Sequence, residues 1–133
     1  KENFVTQKII KSVKRIEIDN SQRLKLGNIN VKRDWGWAPE YVDAIILMMN
    51  NDSPKDYVIA SGCSHTLTEF INKAFQMASL SPEKFLIFDK ALKRPSDLDT
   101  IYLDPKLIES ELNWKAKTNI GEIVEKMYLE EYF

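Results

Sequence analysis

Two arginines stand where their neighbours restrict them. Arg33 sits in the run KRDWGW, beside Lys32 and Trp35, and Arg94 directly precedes Pro95. Proline confines the residue before it to extended backbone, which turns the Arg94 side chain outward from a loop. A planar guanidinium donates paired, charge-assisted hydrogen bonds to phosphate oxygens, so two such forks can hold a diphosphate on a protein with no basic surplus. Asp34 and Asp97 lie close by in sequence and could orient these guanidiniums or accept hydrogen bonds from sugar hydroxyls. The alternative is that both arginines make ordinary surface ion pairs, worth about 0–1 kcal/mol each.

Other reactive types are sparse. Tyr102 and Lys106 have the spacing of a Tyr-x-x-x-Lys pair, but Pro105 between them opposes the continuous helix on which a lysine would lower a tyrosine's pKa. Cys63 lies in a turn without a basic neighbour, and His65, just ahead of a capping signal, reads as a capping or surface residue. One histidine and one cysteine exclude zinc sites of the Cys/His type.

The elements that must position these residues follow from periodicity. Ile9, Ile10, Val13 and Ile16 recur at helical spacing, with lysines and Arg15 between them, and predict an amphipathic helix over 5–18 whose basic stripe is a solvated face. Leu24 and Leu26 suggest a short strand. Ala38, Pro39 and Glu40 open a helix running to about Asn50, with proline and an acid suited to a first turn. Residues 57–60 read as a buried strand and Ser61–Gly62 as a turn. Thr66 with Glu69, and Asn119 with Glu122, have capping-box spacing ahead of apolar-periodic helices. Residues 85–88 suggest a further strand, and Asp104–Pro105 opens a helix through Leu112. Trp35, Trp37 and Trp114 are read as core residues rather than stacking platforms.

The helix from Ala38 is apolar almost all round, since residues 44–49 are AIILMM, so it needs cover on every side. Its mouth, next to Lys32 and Arg33, combines a positive dipole end with local basic charge, which suits an anion. The expectation is that the chain exposes an apolar patch and pairs with itself or with another chain.

The 133 residues amount to one domain, 44% apolar and 11% aromatic, enough for a core. Nineteen Lys plus Arg against twenty Asp plus Glu leave a charge of −1, which argues against nucleic acid as a partner. No apolar run is long enough to span a membrane, and the single cysteine and the absence of an apolar leader at Lys1 suggest the cytoplasm. The four glycines, at 27, 36, 62 and 121, form no phosphate-cradling loop. The fold expected is α/β and helix-dominated, without the regular strand–helix alternation of a dinucleotide-binding domain.

NFVTQKI (3–9), LGNINVKRDWGWAPEYVDAI (26–45), YVIASGCSHTLTEFINKAF (57–75) and RPSDLD (94–99) followed by LNWK (112–115) resemble, in order and spacing, the C-terminal part of GDP-mannose 4,6-dehydratases. These are extended short-chain dehydrogenase/reductases acting on nucleotide sugars. The resemblance covers essentially the whole chain. RDW alone is shared by many sugar-nucleotide enzymes; its combination with VTxKI and SHTLxEF is more specific.

The resemblance implies that residues 1–133 are the substrate-binding C-terminal portion, without the Rossmann core. It implies that Lys8, Arg33 and Arg94 bind the diphosphate of a GDP-sugar, and that Val5 lines the nucleoside pocket. Asp97 stands where the family usually has glutamate at the nucleoside end, and Trp37 where the dehydratases commonly have histidine. In the family the N-terminal half binds NADP and carries the catalytic residues, so no catalytic residue and no bound cofactor are expected in these residues. The activity implied for the full-length enzyme is an NADP-dependent 4,6-dehydratase, a lyase. A related epimerase or 4-keto-reductase, or a non-catalytic interaction domain on the same scaffold, are the alternatives.

Overall fold

The computed structural model describes residues 4–92 and 98–130, and the side chain of Lys90 is not among them. The first helix, α1 (Val5–Ile18), buries Ile9, Ile10, Val13 and Ile16 on one face. It ends at Asp19, whose carboxylate accepts hydrogen bonds from Gln22 Nε2 and Ser21 N at 2.8 and 2.9 Å. Those bonds, Gln22 first, hold the Asp19 carboxyl down at about 2.

β1 (Leu24–Leu26) pairs in parallel with β4 (Leu86–Phe88), and β2 (Lys32–Asp34) pairs antiparallel with β3 (Ser64–Thr66). Between them lie α2 (Ala38–Met49) and α3 (Leu67–Met77); α4 (Lys106–Leu112) and α5 (Ile120–Leu129) close the described chain. The expected helix-rich α/β class is found.

The main core forms where α1, α3 and α5 pack together over β1. Phe70, Phe75, Ile9, Ile16 and Leu24 are fully buried in it, each contributing roughly 1.5–3 kcal/mol by removal from water. Both capping boxes are formed. Thr66 Oγ1 accepts from Glu69 N while the Glu69 carboxylate accepts from Thr66 N, and Asn119 and Glu122 do the same at the start of α5. These bonds satisfy donors that a helix start otherwise leaves unpaired.

A second, smaller cluster gathers Ala44, Ile108 and Trp114, with Tyr41, Tyr57 and Ile59 against it. Residues 57–60, expected to be a buried strand, run alongside this cluster without forming one. Ala60 is buried, but Tyr57 and Ile59 are half-buried and Val58 is exposed. The apolar content of the segment serves the cluster on one side; among the described residues no strand runs beside it to complete a ladder.

The expectation for α2 is met in its first part. Of its apolar residues only Ala44 is fully buried, whereas Val42 is 53%, Ile46 50% and Met49 79% exposed. A helix apolar on several faces therefore lies uncovered. Among the described residues no helix is long and apolar enough to cross a membrane.

Candidate functional site

The site is built on a ribbon that sequence periodicity does not announce. The KRD of the KRDWGW run forms β2, with Lys32 opposite Thr66, Arg33 opposite His65 and Asp34 opposite Ser64. The other edge of β2 is taken by the segment around residues 98–101. Lys32 N donates to Asp99 O at 2.7 Å, Ile101 N donates to Lys32 O at 3.3 Å, and Ser64 Oγ reaches across to Ile101 O at 2.8 Å.

Arg33 is half-buried, and its Nη1 donates to Leu98 O at 2.7 Å and to Lys32 O at 2.8 Å. The guanidinium is thus held beside the segment that follows Arg94 and Asp97. Those two expected site residues lie outside the described residues. Lys8, on α1, is half-buried and donates from Nζ to Lys25 O of β1 at 2.6 Å. Val5, three positions before Lys8 on the same helix and therefore on its face, is 38% exposed. The structure joins Arg33 to the 98–101 segment, and it ties Lys8 to the separate β1–β4 pair.

Among the described residues Asp34 orients no guanidinium. Its carboxylate accepts from Gly62 N at 2.8 Å and Ser61 N at 3.0 Å, with the Tyr41 hydroxyl at 3.5 Å. Gly62 adopts a φ of 75°, open to glycine at little cost, and this aims two successive N–H groups at one anion. Asp34 therefore locks the end of β2 to the turn that leads into β3. The Ser61–Gly62 turn was legible in sequence; its acceptor was not.

Tyr41, Gly36 and Glu40, none of which sequence reasoning placed at the site, support this arrangement. Tyr41 folds back over Gly36, whose missing side chain makes the contact possible: a Cβ there would lie 2.1 Å from Tyr41 Cζ. Burial first, then the Asp34 charge, pushes the Tyr41 phenol up to about 12. Glu40 in the first turn of α2 accepts from Thr118 Oγ1 at 2.8 Å and from the Thr118 and Lys117 amides. Its own carbonyl accepts from Trp114 Nε1 at 3.2 Å.

The tryptophans are packing residues, as expected. Trp35 tilts against Phe70 with ring centroids 5.7 Å apart, and Trp37 packs on the core with Lys126 Nζ 5.8 Å from its ring centre. Tyr102 is exposed and outside any helix, and Pro105 is the N-cap of α4, so Tyr102 and Lys106 share no helix. His65 lies in β3 rather than in a turn, half-buried. Among the described residues no group of three or more His, Cys, Asp or Glu side chains is placed to hold a metal.

Three of the four glycines are engaged in packing or turns. Gly36 is filled by the Tyr41 ring, Gly62 serves Asp34 with Pro105 beside it, and Gly121 lies in α5 against Asn119. None of these three opens a glycine-rich turn between a strand and a helix, which is what a dinucleotide's close approach by its pyrophosphate requires.

Comparison with known proteins bears on the family and the fold. The family described as GDP-mannose 4,6 dehydratase matches residues 1–127. GDP-mannose 4,6 dehydratase 1 of Arabidopsis thaliana is 38% identical over 126 residues, covering 95% of this chain and 35% of its own length. The fold superposes on RMD from Pseudomonas aeruginosa, solved with NADPH, with a TM-score of 0.86 at 18% identity, covering 99% of this chain and 43% of that one. It also superposes on UDP-glucose 4-epimerase from Bifidobacterium longum, solved with NAD+ and UDP, with a TM-score of 0.75 at 16% identity, covering 94% and 38%. The chain thus spans well under half the length of these relatives. With the match extending over nearly all of its residues, the chain belongs to the GDP-mannose 4,6-dehydratase family.

Proposed function

We propose that this chain is the substrate-gripping, C-terminal portion of an NADP-dependent GDP-sugar 4,6-dehydratase. The nicotinamide cofactor and the catalytic groups belong to the remainder of the fold. The observation that supports this reading is the bond from the arginine of the RDW motif, Arg33, to the carbonyl of Leu98, the residue next in sequence to Asp97. In this reading Arg33, Arg94 and Lys8 hold the diphosphate, while Val5 and Asp97 contact the nucleoside. Anchoring a substrate at its diphosphate lowers the barrier at a distant sugar carbon by fixing that carbon within reach of groups supplied elsewhere. The chain alone performs no turnover.

The uncovered face of α2 is, in the same reading, the surface on which the nucleotide-binding portion packs; without that portion two copies of the chain associate. A cytoplasmic setting accords with the single exposed thiol, Cys63.

The test is a comparison of GDP with guanosine, titrated into the chain and followed by tryptophan fluorescence. Tighter binding of GDP, lost in Arg33→Ala, is the expected result. Equal affinity for the two ligands, or an unchanged GDP affinity in Arg33→Ala, would overturn the assignment.

A further inference from the structure

The β2–β3 register places His65 directly opposite Arg33. Directly opposed residues of an antiparallel pair project from the same face of the sheet, with Cβ atoms about 4.5–5.5 Å apart. The two side chains then diverge. The Arg33 guanidinium reaches along the ribbon to Leu98 O, whereas the His65 imidazole turns to α3, where Nδ1 lies 3.7 Å from Glu69 Oε2. That distance is too long for a hydrogen bond, and the ring makes none among the described residues. The Glu69 oxygen is already engaged, accepting from Thr66 N at 2.6 Å and Thr66 Oγ1 at 3.1 Å. With Nδ1 facing Glu69, Nε2 forms the opposite edge of the ring. The side chain keeps 28% of its surface in contact with solvent.

We propose that His65 is a ligand-binding residue: in its protonated form it donates a hydrogen bond to a diphosphate held by Arg33, so the grip on that diphosphate strengthens as pH falls. The proposal rests on the reading of Arg33 as a diphosphate-binding arginine. The charged groups around the imidazole are compatible with it. Arg33 lies across the ladder, Lys32 is the next residue on β2, and the Glu69 carboxylate faces the ring from α3. Asp99 lies on the segment along the far edge of β2. An arriving dianionic phosphate shifts this balance towards the imidazolium, because it adds negative charge on the face where Arg33 and His65 both project. Ligand binding therefore takes up a proton.

His65 is the only histidine in the sequence, so its imidazole resonances are unambiguous. At pH 7, GDP and inorganic pyrophosphate are expected to move them towards their low-pH positions, and guanosine to leave them in place. Calorimetry of GDP binding in two buffers of different ionisation enthalpy should show proton uptake in the unsubstituted chain and less of it in His65→Gln. GDP affinity should rise roughly tenfold more between pH 8 and pH 6 in the unsubstituted chain than in His65→Gln, the consequence of one unit of differential protonation. The variant cancels the titration of the ligand's own phosphate. Pyrophosphate that moves His65 while GDP binds no better than guanosine would sink the nucleotide-sugar reading and leave this diphosphate pair standing. Imidazole resonances that stay fixed in both GDP and pyrophosphate overturn the proposal.

Discussion

The Tyr41 ring lies so close against Gly36 that a methyl group at Gly36 would meet Tyr41 Cζ and the hydroxyl oxygen at 2.1 Å. The ring cannot swing aside freely. Its edge packs against Trp114 with centroids 5.8 Å apart, and its hydroxyl is directed at Asp34. Gly36→Ala is therefore expected to destabilise the chain by about 1–3 kcal/mol, the usual range for overpacking. Urea unfolding measures this directly, and a change below a few tenths of a kcal/mol would show that the ring relocates without cost.

Glu40 ties the start of α2 to the approach of α5 through a carboxylate that serves two amides and a hydroxyl. Glu40→Ala leaves those donors without their acceptor, at about 1–3 kcal/mol. Glu40→Gln keeps one carbonyl oxygen and should recover part of that loss. Equal stability of all three proteins by thermal unfolding would contradict the clasp.

Burial and the Asp34 charge hold the Tyr41 phenol neutral, and burial with a hydrogen bond to Glu17 does the same for Tyr128; both are pushed up from 10 to about 12. A folded-state value above the unfolded one contributes stability that is complete below pH 10 and disappears as pH rises through 12. Absorbance titration of tyrosinate should show Tyr41 and Tyr128 among the late-ionising tyrosines, with alkaline unfolding in that window. Tyr41→Phe should lower the number of late-ionising tyrosines by one; an unchanged number in that variant would mean the assignment is wrong.

Arg33 reaches the carbonyls of Lys32 and Leu98 through Nη1, and a planar guanidinium suits paired hydrogen bonds to phosphate in a way that a lysine ammonium does not. Arg33→Lys is expected to weaken GDP binding at least about tenfold despite the conserved charge, in line with the loss of one charge-assisted hydrogen bond. Isothermal titration provides the readout, and full affinity in the lysine variant would reduce Arg33 to a general source of positive charge.

Val42 and Ile46 lie one turn apart on the exposed side of α2. The double substitution Val42→Lys, Ile46→Lys is predicted to change stability by no more than about 0.5 kcal/mol per site, since neither residue is in a core. It should also reduce apolar-dye binding and shift gel-filtration elution to the smaller species. An unsubstituted chain that already elutes as a clean monomer and binds no dye would remove the case for this surface.

What the amino-acid order determined by itself was local. The reach of α1, both capping boxes, the start of α4 after Pro105 and the need of α2 for cover follow from interactions spanning one or two turns of chain, where residue spacing and side-chain chemistry suffice. Family membership was legible for a related reason, because the motifs are contiguous. Only the tertiary structure decided that KRD is a strand, that residues 57–60 are not, and that Asp34 serves the amides of Ser61 and Gly62, 27 and 28 positions away. The polar strands β2 and β3, KRD and SHT, carry no apolar pattern by which to identify themselves, unlike β1 and β4; they exist because distant segments supply the other half of each hydrogen bond. The opposition of Arg33 and His65 is of that kind. No spacing rule along the chain relates the two residues, and the register of the ribbon, pinned by Asp34 at one end, puts them on one face.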